Sequence, residues 1–404
     1  MSSTLSSASL PESNYVLSLT SLQNFYAASA SSPSNKITLF DKVGLRSVQI
    51  LPGHEDATTY LRTIHAFGGS TKSTLLSSGK DGCVRAWDER SGVVSIQMMG
   101  SGRRPLLCCD ASNDGFLVAA GTDLQKDDAF ILYWDPRNPA APLRSHGSTH
   151  SDDITAVHFG RTPLSANLLF SASSDGLISI SDAKEADEDE AVTHVGNWGC
   201  SVSQGGWIYD SKEPHFWTAS DMETFGYWSS ELDKLQDTDI RQPSWQDQGQ
   251  TWVTDYLIGC HCSARAESGL AVFVGSNEGD AALITNSDLS KPDAPWTLRS
   301  VWTGGHAGIV RSILWDEDND VLVTGGEDSN ILTWRGPECY TLGHGDEGET
   351  MQVDSPTLKR EWQDTADVYD YTVSLLLMVN TPLLNVSRME KECGASAIYN
   401  LHPK

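Results

Sequence analysis

The residues that could support catalysis or metal binding do not fall into the spacings that such chemistry needs. Eight cysteines are present, but no C-x-x-C pair occurs: Cys108 and Cys109 are adjacent, and Cys260 and Cys262 flank His261 at strand spacing. Structural zinc sites generally use paired ligands about two to four residues apart. We therefore interpret the cysteines as small buried hydrophobic residues on strands, in a protein of a reducing compartment.

Common catalytic signatures are also missing from the sequence. It contains no G-x-S-x-G elbow, H-E-x-x-H pair, Walker loop or dinucleotide fingerprint. The stretch GGSTKST at residues 68–74 superficially resembles a phosphate-binding loop, yet no glycine directly precedes Lys72 and the stretch lies between two predicted strands. The sequence therefore predicts a protein that is not an enzyme and has no cofactor and no metal ion.

The chain does contain a repeat with a period of 47 residues. A short motif, written successively LFD, AWD, YWD, ISD, YWS, ITN and TWR, ends at Asp41, Asp88, Asp135, Asp182, Ser229, Asn286 and Arg335. The intervals between these ends are 47, 47, 47, 47, 57 and 49 residues. Such regularity indicates seven copies of one structural unit.

Each unit has the pattern of several short strands. The second unit contains the apolar stretch TLLSSG (74–79), an Asp-Gly turn, CVRAWD (83–88) and VVSIQMM (93–99). Short runs rich in Val and Ile, punctuated by Gly, Asp and Ser, are typical of strands and turns. Residues 1–335 show no convincing apolar period of 3.6 residues, so the sequence predicts an all-β fold.

Units of this size must pack against one another, because a sheet of three or four strands cannot bury both of its faces alone. Radial closure also removes exposed sheet edges. The repeated element, which is Gly-His, apolar strands, Ser or Thr, Asp and a closing Trp-Asp, resembles that of the WD-repeat (WD40) family. The resemblance covers residues 13–335 and implies a seven-bladed β-propeller.

This resemblance also implies a structural, hydrogen-bonded tetrad of His, Ser or Thr, Asp and Trp within a blade. The second and seventh units contain all four residues, and the fourth unit has Ser181 where the Trp is expected. The fifth and sixth units depart further, so packing must hold those blades together. The tetrad residues are His54, Ser77, Asp81 and Trp87; His150, Ser171 and Asp175; and His306, Thr324, Asp328 and Trp334.

The two ends of the chain lie outside the repeat. Residues 1–12 form a short segment whose TLSSASL stretch is a candidate for the outer strand of the seventh blade, with the C-terminal segment as the alternative. Residues 336–404 form an acidic extension that is predicted to be partly disordered. The N-terminus lacks the features of a secretory signal, and the apolar run at 373–379 is too short to span a bilayer. We therefore expect a cytosolic or nuclear protein.

Charge favours a particular class of partner. The chain has a formal net charge of −26, and residues 336–404 carry 11 Asp and Glu against 5 Lys and Arg, which leaves −20 on residues 1–335. Nucleic acid and anionic membranes both require a basic surface, so neither is expected as a direct partner. The sequence predicts a scaffold, monomeric or part of a larger complex, for a basic protein such as a ribosomal protein or histone. Solubility alone is the alternative explanation.

Two sets of residues are candidate contacts for that partner. Trp198, Trp245 and Trp252 lie on the connections that enter the fifth and sixth blades, and Trp is frequent at binding hot spots. The alternative is that these indoles fill space in blades without a tetrad. The second set lies in the acidic run KEADEDE between the third and fourth strands of the fourth blade. The alternative is that this run is an ordinary solvated surface without a partner. The second set comprises Asp187, Glu188, Asp189 and Glu190.

A pair of W-D-x-R motifs supports a different function. They occur in consecutive blades and end at Arg90 and Arg137. Paired motifs of this kind resemble the docking signature with which WD-repeat substrate receptors bind the adaptor of cullin-4 ubiquitin ligases. The resemblance implies that Arg90 and Arg137 contact the adaptor, and an ion pair within each blade is the alternative.

Overall fold

The computed structural model describes residues 3–209, 213–242, 244–247, 250–263, 266 and 269–337. This part of the chain contains 30 strands, labelled β1 to β30 in chain order, and 28 of them form seven four-stranded antiparallel sheets. The first strands of successive sheets contact one another and surround the central channel. The prediction of an all-β, seven-bladed propeller is confirmed.

The first four blades follow one another along the chain. Blade 1 contains β2 Val16–Ser21, β3 Phe25–Ala30, β4 Ile37–Asp41 and β5 Ser47–Leu51. Blade 2 contains β6 Thr58–Ile64, β7 Thr74–Gly79, β8 Cys83–Asp88 and β9 Val93–Met99. Blade 3 contains β10 Leu106–Ala111, β11 Val118–Thr122, β12 Ile131–Trp134 and β13 Arg144–His146. Blade 4 contains β14 Ile154–Phe159, β15 Leu168–Ser173, β16 Leu177–Asp182 and β17 Val192–Asn197.

The last three blades include an inserted hairpin and the N-terminal strand. Blade 5 contains β18 Val202–Tyr209, β19 Pro214–Ser220, β20 Thr224–Trp228 and β21 Lys234–Asp239, and the hairpin consists of β22 Ser244–Asp247 and β23 Gln250–Val253. Blade 6 contains β24 Tyr256–Cys262, β25 Leu270–Gly275, β26 Ala281–Asn286 and β27 Trp296–Trp302. Blade 7 contains β28 Val310–Asp316, β29 Val321–Gly326, β30 Asn330–Arg335 and β1 Thr4–Ser9.

Helical structure is minor in the described residues. One four-residue α-helix, α1 Glu188–Ala191, and two 3-10 turns, Phe67–Gly69 and Ser101–Arg103, all lie between strands. None of the described helices is long and apolar enough to cross a membrane.

Burial changes from the inner to the outer strands of each blade. The inner strand β2 is buried along its whole length, whereas the outer strand β9 alternates between exposed and half-buried residues before its end. Blades stack face to face, so both faces of an inner strand contact apolar neighbours. This explains why residues of both orientations along an inner strand are buried.

The core consists of seven buried apolar clusters, one between each pair of neighbouring blades. Between blades 2 and 3, for example, Tyr60 and Leu76 pack with Leu106 and Trp134. The seven interfaces include the one between blades 7 and 1, where Leu314 packs with the residues of β2 and β3. The interfaces run from the first blade around to the seventh and back to the first, so the ring is closed.

The N-terminal strand completes the last sheet. β1 pairs antiparallel with β30, with Ser7 opposite Leu332 and Ser9 opposite Asn330. The side chain of Ser9 also bonds to Asn330 at 2.6 Å, and Leu10 N donates to Ser329 O at 2.9 Å. Blade 7 therefore joins the two ends of the propeller. Residues 338–404 of the predicted extension lie outside the described residues.

The hairpin accounts for the irregular interval in the repeat. β22 and β23 lie within ten residues, 244–253, and they pair only with each other in the described part of the chain. The interval between the fifth and sixth motifs is 57 residues instead of 47. An insertion of this length between β21 and β24 thus leaves the blades on either side intact.

Candidate protein-interaction surface

The connections between blades and the turns between second and third strands all lie at one end of the ring, which we call the upper face. The other two kinds of turn form the lower face. The upper-face segments are residues 10–15, 31–36, 52–57, 80–82, 100–105, 123–130, 147–153, 174–176, 198–201, 221–223, 240–242, 244–247, 250–255, 276–280, 303–309 and 327–329.

Two complete tetrads fasten upper-face segments to the body of their blades. In blade 2, His54 Nε2 lies 2.7 Å from Ser77 Oγ, His54 Nδ1 lies 2.8 Å from Asp81 Oδ1, and Trp87 Nε1 donates to Ser77 Oγ at 2.9 Å. Because a carboxylate only accepts, His54 donates from Nδ1 and its Nε2 accepts from the Ser77 hydroxyl. In blade 7 the corresponding three contacts measure 2.8, 3.0 and 2.9 Å. They join His306, Thr324, Asp328 and Trp334.

The blade 2 tetrad is a closed network. Burial lowers the pKa of His54 despite the adjacent Asp81 carboxylate, so the imidazole is neutral at neutral pH. Burial alone would raise the pKa of Asp81, but the hydrogen bonds from His54 and from Glu55 N outweigh it and lower the pKa. Ser77 is fully buried. This geometry serves to hold strands and turn together, and it leaves no substrate access to the hydroxyl.

Blade 4 contains a weaker version of the same network. His150 Nε2 lies 2.8 Å from Ser171 Oγ, but Nδ1 is 3.6 Å from Asp175, and Ser181 stands where the other tetrads have Trp. Asp175 accepts from Ser151 N at 2.7 Å. Burial opposes ionisation of Asp175, yet the nearby His150 ring and the backbone donors lower its pKa to about 2.

In blade 5 a second indole replaces the histidine. Trp228 Nε1 donates to Thr218 Oγ1 at 2.8 Å, as in a tetrad. Trp198 packs against Trp228 in an edge-to-face arrangement with ring centroids 6.3 Å apart, and it donates to Asp237 at 3.3 Å. Only 6% of Trp198 is exposed. This placement favours the alternative in which Trp198 fills space in the blade.

The remaining candidate tryptophans belong to the hairpin. Trp252 is buried against the apolar cluster between blades 5 and 6, and its Nε1 donates to Thr254 Oγ1 at 3.0 Å. Trp245 lies opposite Trp252 in the β22–β23 register. Trp252 therefore attaches the hairpin to the ring.

Glu223 holds both ends of the hairpin insertion. Its carbonyl accepts from Ile240 N at 3.0 Å, and its carboxylate accepts from Leu257 N at 2.7 Å. Burial raises the pKa of Glu223. Beside it, Met222 is 66% exposed, and Val253 at the end of the hairpin is 54% exposed. Among the described residues, blades 5 and 6 therefore present the two most exposed large apolar side chains of the upper face, on which Tyr15 and Leu124 are less exposed.

The upper face is strongly acidic. Its segments contain 18 Asp and Glu against 6 Lys and Arg, which is −12 of the −20 carried by residues 1–335. Two of these carboxylates, Asp123 and Asp153, lie close enough to interact. Burial raises the pKa of Asp123, and the Asp153 charge raises it further. Asp123 Oδ1 is buried without a hydrogen-bond partner in the described part of the chain.

The acidic loop of blade 4 is partly used within the propeller. Glu188, in α1, accepts from the backbone N–H groups of Gly147, Ser148 and Thr149 at 2.8 to 2.9 Å. Asp187 accepts from Asp189 N at the start of α1, whereas the side chains of Asp189 and Glu190 are exposed. Glu188 thus stabilises the connection between blades 3 and 4, and its neighbours remain open to solvent.

The two W-D-x-R arginines lie on the lower face and make local ion pairs. Arg137 forms a bidentate contact with Asp135 at 2.7 and 2.9 Å, and its guanidinium lies 4.6 Å from the centroid of the Phe116 ring. Arg90 is 74% exposed, with Nε 3.5 Å from Asp88. These contacts match the intrablade alternative, and adaptor docking stays a prediction.

Sequence reasoning missed a buried ionic cluster on the channel wall. Arg62, Asp110 and His158 occupy equivalent positions in the inner strands of blades 2, 3 and 4, at intervals of 48 residues. Arg62 Nε lies 2.8 Å from Asp110 Oδ1, and Arg62 Nη1 lies 3.1 Å from His158 Nδ1. Arg161 donates to the same Asp110 oxygen at 2.5 Å. The 48-residue spacing of charged residues within apolar strands was the available signal.

This cluster does not have the chemistry of a general base. Burial and the positive charge of Arg62 lower the pKa of His158 to about 3, so the ring is neutral and a weak base. Asp110 is fully buried, and Arg161 and Arg62 lower its pKa against the effect of burial. The described residues also hold no group of three or more His, Cys, Asp or Glu arranged to bind a metal ion.

Comparison with known proteins agrees with this architecture. The family model for the WD domain, G-beta repeat, matches residues 45–88 and 296–335, which include all four residues of both complete tetrads. WD-repeat propellers generally bind protein partners, and the match indicates no catalytic family.

Several relatives align over 65% to 80% of this chain. The WD repeat-containing protein 89 homolog of Dictyostelium discoideum is 28% identical over 79% of this chain and 82% of that protein. An uncharacterized WD repeat-containing protein of Saccharomyces cerevisiae is 30% identical over 80% of this chain and 84% of its own length. A third, from Schizosaccharomyces pombe, is 25% identical over 65% of this chain and 79% of that protein. The chain therefore belongs to the family of WD-repeat proteins.

Proposed function

We propose that the protein is a non-catalytic scaffold whose upper face binds Lys- and Arg-rich segments of a protein partner. The observation that carries this proposal is the charge of that face, 18 acidic residues against 6 basic ones. A surface of one sign raises the local concentration of an oppositely charged partner and speeds its association.

Several upper-face carboxylates are free to meet such a partner. Glu55 and Asp128 are exposed and approach an arginine only at 3.9 Å, while the exposed Asp127 and Glu278 make no ion pair within the described residues. Exposed pairs at that distance contribute little stability. These four side chains therefore support contacts with the partner more than they support the fold.

The exposed apolar residues of the same face extend this proposal. Met222 and Val253 flank the base of the hairpin, beside Glu223. Interfaces commonly combine an apolar centre with charged residues at the rim. We therefore place the centre of the interface at blades 5 and 6 and the acidic rim around the rest of the upper face.

The experiment compares two sets of four substitutions that remove equal charge. The upper set is Glu55→Gln, Asp127→Asn, Asp128→Asn and Glu278→Gln, and the lower set is Asp189→Asn, Glu190→Gln, Glu231→Gln and Asp293→Asn. Binding of a fluorescent Lys- and Arg-rich peptide is measured by stopped flow at low and moderate salt. The upper set should slow association by about tenfold or more at low salt, and added salt should reduce the difference.

The lower set is the matched control, because its residues are also exposed and lie outside the upper-face segments. Equal effects of the two sets would show that only total charge matters, and an effect confined to the lower set would favour the blade 4 acidic loop as the binding surface. Either result would contradict the proposed upper-face site.

We further propose that the protein acts in the cytosol or nucleus. The six cysteines in the described residues are all free thiols, as is usual in reducing compartments. Proximity labelling in cells with wild type and the upper set would test both location and partner. We expect the wild type to label Lys- and Arg-rich proteins and the upper-set variant to lose this labelling. Labelling of secreted proteins would contradict the proposed location.

A further inference from the structure

The cluster of Arg62, Asp110 and Arg161 on the channel wall contains more positive than negative charge. Arg62 and Arg161 both pair with Asp110, and neither makes an ion pair with another carboxylate in the described part of the chain. His158 is neutral, since burial and Arg62 hold its pKa at about 3. Two guanidinium groups against one carboxylate leave a net charge of +1, in a chain whose total is −26.

Arg161 adds a second guanidinium group to a junction that Arg62 already makes. Arg62 links blades 2, 3 and 4, because it reaches both Asp110 and His158. Arg161 donates to the same Asp110 oxygen and, at 2.8 Å, to the Ala111 carbonyl, so the second guanidinium gains no carboxylate of its own. Placing an uncompensated charge in a mostly buried site is costly. A site of this kind is stabilised when an anion supplies the missing negative charge.

The two guanidinium groups can reach such an anion. Both donate to one oxygen of Asp110, so they lie close together, and each side chain keeps 13% of its surface exposed. Both residues belong to the part of the channel nearest the lower face, since β6 and β14 run from the upper face to the lower face. A guanidinium has five N–H donors in a planar fork that suits phosphate and carboxylate.

We propose that the lower end of the channel binds a small oxyanion of the phosphate or carboxylate class between Arg62 and Arg161. Asp110 orients the two guanidinium groups, and His158 Nδ1 accepts from Arg62 Nη1. This site is separate from the upper face, so its failure would leave the proposed function untouched.

The test uses the full chain and inorganic phosphate at constant ionic strength, with binding measured by titration calorimetry. Wild type should bind phosphate saturably with one site. Arg161→Gln and Arg62→Gln should each weaken binding by about tenfold or more, the effect expected for one charge-assisted hydrogen bond. Acetate competition distinguishes the classes: displacement of phosphate shows that carboxylates share the site, and none shows a phosphate site.

The controls separate a binding site from a purely structural cluster. Arg90→Gln removes an exposed lower-face arginine and should leave phosphate affinity unchanged. Asp110→Asn keeps an Oδ1 acceptor that can orient both guanidinium groups but removes the competing negative charge. It should therefore tighten phosphate binding, an outcome that a purely structural role does not predict. If Arg62→Gln does not fold, Arg161→Gln in the loop decides alone. Absence of saturable binding, or equal affinity in Arg161→Gln and Arg90→Gln, overturns the proposal.

Discussion

Ser77 is the residue on which the blade 2 tetrad converges. Its hydroxyl contacts both His54 Nε2 and Trp87 Nε1 inside the core. Ser77→Ala leaves both ring nitrogens buried and unpaired, and we expect a loss of about 2 kcal/mol or more in the free energy of unfolding. Urea denaturation with tryptophan fluorescence measures this.

Blade 4 offers the matched control for that substitution. Ser171 contacts His150, but Ser181 in place of Trp means that no indole donates to it. Ser171→Ala therefore leaves one buried group without its hydrogen bond, whereas Ser77→Ala leaves two. Ser171→Ala should lower the urea midpoint of unfolding less. A loss from Ser171→Ala as large as that from Ser77→Ala would show that the Trp bond contributes nothing.

His158 gives the protein a dependence on pH. An unfolded histidine titrates near 6.5, whereas burial and Arg62 hold the folded pKa of His158 at about 3. Between these values the unfolded chain binds the extra proton, so stability is complete above about pH 6.5 and falls as pH decreases toward 3. His158→Gln should reduce the slope of unfolding free energy against pH by about 1.4 kcal/mol per unit, measured from pH 6 to 4.5.

A second histidine variant controls for this slope. His65→Gln changes an exposed histidine and should leave the wild-type slope in place. Burial also lowers the pKa of His54, so His54 contributes to the slope of unfolding free energy against pH. This contribution is the same in wild type, His158→Gln and His65→Gln. An unchanged slope in His158→Gln would mean that the imidazole is not held neutral in the folded state.

The individual residues differ in how far the sequence could reveal them. The His, Ser or Thr, Asp and Trp positions recur at fixed distances within one repeat, so a family pattern exposes them. The cluster of Arg62, Asp110 and Arg161 forms across three blades, and nothing local in the sequence indicates which charges meet. Trp198 is similar, because its burial depends on the absence of a histidine in blade 5.

At the level of elements, β1 holds the ring shut. It is the outermost strand of blade 7, and it comes from the opposite end of the chain to the strand it pairs with. Deleting residues 1–9 would expose the edge of β30 and remove the apolar contact of Ala8 with the cluster between blades 7 and 1. We expect the melting temperature to fall by several degrees and limited proteolysis to begin within blade 7.

A synthetic peptide of residues 3–11 provides the control for that deletion. Added in excess, it can pair with β30 and should restore the melting temperature, whereas a peptide of the same composition in shuffled order should not. If the deletion changes neither stability nor the proteolysis pattern, β1 does not contribute to closure.

The strands themselves could be predicted unevenly. Inner strands such as β14 are buried on both faces and appear as apolar runs. Outer strands are largely exposed, as β17 is, or have only three residues, as β13 has, so their limits are weakly marked in the sequence. The interval of 57 residues indicated an insertion, but ten residues rich in Gln and Trp do not by themselves specify the β22–β23 hairpin.

On the scale of the whole molecule, seven equal units predicted the ring because each sheet needs a neighbour on both faces. The seven inter-blade clusters meet that need, including the one that joins blade 7 to blade 1. The distribution of charge cannot be predicted from the sequence in the same way, since the total charge does not reveal which face of the ring carries it. The strand order was required to assign −12 to the upper face.

Concentration of charge on one face should also affect stability. Like charges repel over a Debye length of about 30 Å at 0.01 M salt but only about 10 Å at 0.1 M, so low salt destabilises a crowded acidic surface. The substitutions of the upper set, which replace the carboxylates of Glu55, Asp127, Asp128 and Glu278 by amides, should therefore raise the melting temperature in low salt. This increase should become smaller as salt is added. Scanning calorimetry across a salt series measures both effects.

The lower set, Asp189, Glu190, Glu231 and Asp293, shows whether location matters. Its carboxylates lie on the face that holds the smaller part of the net charge, so their removal should relieve less repulsion and give a smaller low-salt gain. Stabilisation by the upper set together with loss of peptide binding would mean that the acidic surface is retained for recognition at the expense of stability. Equal gains from the two sets would instead make the acidity a property of the whole surface.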